Sequence, residues 1–206
     1  SRLFQNCTAL EEVVIQEGVT SFGSSTFAGC TSLKKVTIPA SLTDFGSGAF
    51  AGLDTLPEFD GPGKDNFQIK EDGCIYSQDG KALIAAPGAS GVLAIPDGVE
   101  TISSDCFAGN TALTEVVIPD SVTTMGSMVF QDCTSLTKVT LSKNLTEIPG
   151  YLFWGCTSLT TVVIDGKENV IPEGFTAIGN CAFSGTAIVS MVIPEGVTEI
   201  GMAAFE

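Results

Sequence analysis

Apolar positions along this chain recur every 23 residues. That period is too long for one helix face or strand and matches the length that repeat solenoids use. Phenylalanines set the register at Phe4, Phe27 and Phe50, then at Phe107, Phe130 and Phe153, with Phe183 and Phe205 following after steps of 30 and 22. The long step has a local cause: seven extra residues, 165–171, defer the Ile-Pro pair to Ile171-Pro172.

Within a unit the pattern is Leu-x-x-Val-x-Ile-Pro, as in Leu33, Val36, Ile38 and Pro39 or Leu113, Val116, Ile118 and Pro119. The alternation in Val-x-Ile predicts a short strand with one buried face. Proline cannot donate to a ladder, so it ends that strand. Turn-forming residues stand two positions on, among them Gly18, Ser41, Gly98, Ser121, Asn144 and Gly196. A second apolar pair follows (Val19/Phe22, Leu42/Phe45, Val99/Ile102, Val122/Met125, Leu145/Ile148, Phe175/Ile178, Val197/Ile200), and an Ala-Phe step closes the coil.

One position holds only Asn6, Gly29, Gly52, Gly109, Asp132, Gly155 and Gly185, the residue types that best tolerate a positive φ. A left-handed turn residue is expected there. The next position holds Cys7, Cys30, Leu53, Asn110, Cys133, Cys156 and Thr186. Stacked one per coil beneath the turn, the polar members can bond loop backbone that would otherwise be buried unsatisfied.

A single coil cannot bury its apolar stripe, so neighbouring coils must stack. The expectation is a mostly β, right-handed leucine-rich-repeat solenoid of about eight coils, with a parallel sheet on its concave face and one continuous core. No polar cap stands at either end, so the segment is expected to be completed by neighbouring sequence. The regular unit fails between Leu56 and Ile95, where Asp72-Gly73 and Asp79-Gly80 separate short apolar runs. Asp-Gly between strand-like runs signals hairpins. A small β-meander is expected, projecting from the solenoid or spliced into it, with Val92, Ile95 and Ile102 resuming the core pattern. The chain thus reads as one domain, 1–206, with a first repeat block (1–56), an irregular hairpin module (57–91) and a second block (92–206).

The repeat F-x-x-C-T-x-L-x-x-V-x-I-P-x-x-V-T-x-I-G-x-x-A-F resembles the BspA-like class of leucine-rich repeats found in bacterial surface proteins. The segment from Cys74 to Ile84 resembles the irregular module such proteins place between repeat blocks. Leu53, Asn110 and Thr186 depart from the repeat's Cys, and the coil around Leu56 to Phe59 is degenerate. The resemblance implies a secreted or surface-anchored protein whose role is adhesion to host matrix or to other cells, and it supplies no catalytic residues.

Composition narrows the chemistry. Hydrophobic residues make up 44% of the chain, which excludes disorder. With 24 acidic against 9 basic residues the net charge is −15, a field that repels nucleic acid and anionic membrane. No apolar run reaches the length of a membrane helix. Histidine is absent, which removes the commonest general base and every Ser-His or Cys-His nucleophile pair. The seven cysteines contain no Cys-x-x-Cys pair, so zinc is not indicated. They are expected as buried free thiols, with a disulfide ladder as the alternative. Asp60 to Asn66 lacks calcium-loop spacing and is expected to be a turn, so no cofactor or metal is anticipated.

Two surfaces are candidate binding sites. The outward middle residue of Val-x-Ile is Val14, Thr37, Val117, Thr140, Val163 or Val192, a β-branched stripe that sheet propensity and ligand binding explain equally well. Beside it, Glu12 with Lys35 and Glu115 with Lys138 are expected to pair across the ladder. Trp154 occupies a site that elsewhere holds small or polar residues, so it should be partly exposed, either as a protein or carbohydrate contact or packed on a neighbouring coil. The functional expectation is a non-catalytic module that binds protein or glycan; the alternative is a structural spacer.

Overall fold

The Val-x-Ile steps fold as short strands that stack from coil to coil. The computed structural model describes all residues, 1–206, and contains sixteen strands, one 3-10 turn and no α-helix. In the first sheet, β1 (Glu12–Val14), β2 (Lys35–Thr37) and β3 (Glu58–Asp60) pair in parallel, with Val13, Val36 and Phe59 in register, so the regular sheet runs past residue 56 into the segment expected to be irregular. The degenerate coil therefore keeps its strand, because Phe59 takes the inward place of the usual valine. The segment Pro62–Asn66 is the 3-10 turn that follows it.

The meander is spliced into the solenoid. Its strands β4 (Phe67–Ile69), β5 (Ile75–Ser77) and β6 (Ala82–Ala85) are antiparallel neighbours, joined at Asp72-Gly73 and Asp79-Gly80, with both glycines at positive φ. Asp72 and Asp79 fix these turns by accepting the N–H groups of Cys74 and Lys81. The strand face resumes at β7 (Gly91–Ala94). The second side of the coil, where the second apolar pair lies, then begins its ladder at β8 (Thr101–Ile102), which pairs in parallel with β6.

Strand face and second side alternate thereafter: β9 (Leu113–Val117), β10 (Thr124–Met125), β11 (Lys138–Leu141), β12 (Glu147–Ile148) and β13 (Thr161–Ile164). The seven-residue insertion adds β14 (Lys167–Glu168), and β15 (Ala177–Ile178) and β16 (Glu199–Ile200) extend the second side. The strand-face order is β14-β13-β11-β9-β7, parallel except for β14. The second-side ladder breaks between β10 and β12. Gly126, Gly179 and Gly201 donate their N–H to Ile102, Ile148 and Ile178 of the preceding coil at 2.9, 2.8 and 2.7 Å. Pro149 stands at the same place in its coil and has no N–H to give to Met125.

The core is not continuous, contrary to the sequence expectation. Fifteen buried residues, including Phe45, Phe67, Ile75 and Ala85, form one cluster, and 36, including Tyr76, Leu83 and Leu93, form another. Consecutive β5 residues Ile75 and Tyr76 belong to opposite clusters, so the meander is a wall between two cores. Val92 does not resume the pattern either: it is 68% exposed, and Leu93 faces inward opposite Val116. Leu93 keeps the 23-residue spacing to Val116 and is the inward residue, with Val92 its outward neighbour; the register shift lies before both, between Gly91 and Val92. The phenylalanine column is divided likewise, with Phe4, Phe27 and Phe50 stacked at 5.6–5.7 Å and Phe107, Phe130, Phe153, Phe183 and Phe205 stacked at 5.0–5.6 Å.

One element does run unbroken. The left-handed position donates its N–H to the next coil throughout: Asn6 to Ala28, Gly29 to Ala51, Gly52 to Ala108, Gly109 to Gln131, Asp132 to Trp154 and Gly155 to Ser184, at 2.7–3.0 Å. From Gly52 to Ala108 this spine crosses the meander in a single step. A Cβ on Gly109 (φ +75°) would lie 2.9 Å from the Gly52 Cα, whereas Gly98 (φ +95°) has nothing within 4 Å. Gly98→Ala should therefore cost about 1–2 kcal/mol from backbone conformation alone. Gly109→Ala adds a backbone clash that only coil separation relieves, for a total of about 3–4 kcal/mol. Urea unfolding of both variants checks this, and equal losses would show that the spine tolerates a methyl group.

Candidate binding surfaces

The alternation that buries Val36, Val116, Val139 and Val162 turns their neighbours outward. Parallel register brings Val117, Thr140 and Val163 side by side on β9, β11 and β13, with Ala94 of β7 joining them. Val14 and Thr37 pair in the separate first sheet, where Asp60 of β3 is the next in line. The six-residue stripe is thus not one surface. Between Val163 and Val192 stands the insertion, whose β14 pairs antiparallel with β13 and sets Glu168 opposite Val163. Val192, 60% exposed, bridges Val170 instead. Ala94 and Val92 also belong to this face: both keep the 23-residue spacing to Val117 and Glu115, and the expectation of an inward Val92 hides them.

The insertion is built from local chemistry. Asp165 and Gly166 both have positive φ, as a two-residue hairpin loop demands. Asn169 then takes the role of a strand with its side chain. Its Oδ1 accepts the Val162 N–H at 2.8 Å and its Nδ2 donates to the Thr160 carbonyl at 3.0 Å. Its backbone N–H bonds the Val162 carbonyl, and its carbonyl accepts the Val192 N–H. One side-chain amide therefore carries the ladder across the irregularity.

Charges along the face pair partly as expected. Lys138 lies 3.7 Å from Glu115, but Lys35 pairs with Asp60 at 3.1 Å and not with Glu12. Asp60 is the better partner because its other oxygen accepts the Gly61 N–H. That backbone bond and the Lys35 ammonium hold its carboxyl below the usual range. These pairs are exposed and tie coils together only weakly.

Trp154 lies on the turn edge, away from the stripe, with its carbonyl in the spine. It is 40% exposed and meets Tyr151 edge-to-face at 6.2 Å. The adjoining cysteine column is a set of hydrogen-bond donors. The thiols of Cys30, Cys133 and Cys156 lie 2.9–3.1 Å from the carbonyls of Phe4, Phe107 and Phe130 in the preceding coil. Asn110 and Thr186 bond turn carbonyls in the same column, as the stacking argument requires. All seven cysteines are free; five are buried, Cys181 is partly buried and Cys7, expected to be buried, is exposed. Cys7 has no coil on its outer side within residues 1–206. No group of three or more His, Cys, Asp or Glu residues is placed to hold a metal ion, and no helix is long and apolar enough to cross a membrane.

Known proteins share this architecture. A leucine-rich cell surface protein from Faecalibacterium prausnitzii A2-165 is similar with a TM-score of 0.67 and 28% identity, over 98% of this chain and 62% of that one. The pneumococcal vaccine antigen PcpA shares the fold with a TM-score of 0.56 at 19% identity, over 93% and 62% of the two chains. The chain therefore spans 62% of the length of each of these structures. No curated protein matches the sequence. The BspA type leucine rich repeat region matches residues 1–78 and 91–206 in six copies, and the chain belongs to that family.

Proposed function

We propose that this chain is a non-catalytic binding module of a bacterial surface or secreted protein, engaging a protein or glycan ligand through the strand face of its second block. One observation carries the reading. Ala94, Val117, Thr140 and Val163 form a continuous β-branched and apolar line across four strands, Ala94 exposed and the other three half-buried, with Val92 68% exposed beside it. The inward valines already hold the core, so folding does not call for apolar groups on the outer side. Glu115 and Lys138 border the line with charge, the arrangement of an interface with an apolar centre and a polar rim. The net charge of −15 steers the module away from nucleic acid, and the similarity to a cell surface protein supports a position outside the cell.

The test is a screen of extracellular-matrix proteins and glycans, repeated with Val117, Thr140 and Val163 all replaced by glutamate. Affinity for every ligand bound through this face should fall at least tenfold, with an unchanged urea midpoint. Undiminished binding would remove the face from consideration, and a screen with no ligand at all would favour a structural spacer.

A further inference from the structure

On the second side of the solenoid, the splice leaves a groove. The spine advances one coil from Gly52 to Ala108, yet the second side must admit β6, β5 and β4 over the same step. The coils fan apart, and a cavity of about 360 Å3 opens at the apex of the fan. One wall is Thr43, Asp44, Gly46 and Ser47, the other Thr101 to Ser104, with Ile84 and Ile102 supplying the only apolar surface.

The groove also exposes an unfinished edge. In the coil before it, the Thr20 carbonyl accepts the Thr43 N–H and the Phe22 N–H donates to Asp44. The equivalent groups one coil later, the Thr43 carbonyl and the Phe45 N–H, make no hydrogen bond to backbone or side chain. Thr43 lines the cavity, so its unpaired carbonyl is offered to whatever fills it, whereas Phe45 is fully buried and does not line it.

We propose that this groove binds a neutral polyol the size of one or two sugar residues. Its lining residues include six with hydroxyls. Those of Thr101, Ser103, Ser104 and Thr124 make no hydrogen bond within the protein and can donate or accept, while those of Thr43 and Ser47 donate to the Thr20 carbonyl and Asp105 and are left as acceptors. Asp44 adds a carboxylate whose Oδ1 takes the Gly46 N–H at 2.8 Å. Ser47 is held by Asp105 at 2.9 Å, so one hydroxyl is already oriented. No cationic side chain lines the groove, which disfavours anionic ligands, and two isoleucines are too little apolar surface for a lipid. The only unpaired edge group on the lining is the Thr43 carbonyl, too little to hold an extended peptide by strand addition. A compact ligand with alternating donors and acceptors fits all of these features. The site is independent of the strand face.

Titration of the intact chain with mannose, galactose, N-acetylglucosamine and their disaccharides, followed by saturation-transfer NMR and calorimetry, tests the proposal. Saturable binding of at least one neutral sugar is expected, with none for glucuronic acid. Thr101→Tyr, which fills the groove, should abolish binding, and Asp44→Asn, which keeps the Gly46 bond, should weaken it at least fivefold. The strand-face glutamate variant should bind the sugar as the wild type does. Absence of saturable binding, binding that survives Thr101→Tyr in a folded variant, or preference for an extended peptide over every sugar would each overturn the proposal.

Discussion

Replacing Asn110 by leucine should lower the unfolding free energy by about 4 kcal/mol, a large loss for a volume-conserving change. Asn110 is 4% exposed and every polar atom of its amide is engaged. Nδ2 donates to the Ala89 carbonyl at 2.7 Å and approaches that of Ala86 at 3.5 Å, while Oδ1 accepts the N–H groups of Ala112 and Leu113 at 2.9 Å. The Ala89 carbonyl has no backbone partner. Leucine would leave that carbonyl and the Leu113 N–H buried and unpaired, at about 1–3 kcal/mol each. It would also loosen the loop that returns the chain from the meander to β7. Leucine at the same column position, Leu53, orphans nothing comparable, because the turn carbonyl of Phe27 already accepts the Cys30 N–H at 3.0 Å. Urea unfolding measures the loss, and hydrogen exchange should localise it to Leu113 and the 86–91 loop. A loss below about 1 kcal/mol would mean that the amide is dispensable there.

Features that the sequence displays plainly are those in which one residue type answers one local demand. Only Gly, Asn and Asp stand at the spine position, so its positive φ could be read directly, and both Asp-Gly turns of the meander are where their composition places them. A second left-handed position lies four residues earlier in every coil, at Arg2, Ser25, Gly48, Asp105, Met128, Tyr151, Cys181 and Ala203, with φ from 52° to 61°. It left no compositional trace because a single glycine stands among seven unlike side chains. Coil-to-coil hydrogen bonding imposes this conformation and the side chains bear its strain.

The candidate surfaces follow the same division. Alternation identified Val117, Thr140 and Val163 as outward, but their grouping depends on which strands pair. Pairing is non-local: β7 adds Ala94 and Val92 by pairing with β9, the Asn169 hairpin separates Val192, and the splice isolates Val14 with Thr37. The groove is less legible still. It arises from a mismatch between one step along the spine and three inserted strands on the second side, and no single residue in it departs from ordinary turn composition.

Stability should fall steeply in mild alkali, because the core stacks thiols that can stay buried only while protonated. Burial is the main cause of the upward shift for Cys74, Cys106, Cys133 and Cys156, carrying Cys156 to about 12 and Cys106 and Cys133 well above their ordinary value of 9.0. Neighbouring groups add to it, Cys156 acting on Cys133, and Cys74 and Cys133 on Cys106. A folded-state value raised above that of the unfolded chain gives stability that is complete below pH 9 and lost as pH climbs toward the folded value. Each buried thiol contributes a slope of about 1.4 kcal/mol per pH unit in that window, and four together about 5 kcal/mol. The exposed ion pairs of Lys35, Lys81 and Lys143 lose their contribution only above the ordinary lysine value of 10.5 and are screened by solvent. The urea midpoint should therefore be flat from pH 7 to 8.5 and collapse between pH 9.5 and 10.5. Threonine at Cys133 and Cys156 isolates the cause: Thr186 already occupies this column and bonds the Phe183 carbonyl at 2.9 Å, and a hydroxyl does not ionise in this range. The double variant should recover about 3 kcal/mol per pH unit of the slope, and a slope unchanged by it would place the alkaline transition outside the thiol column.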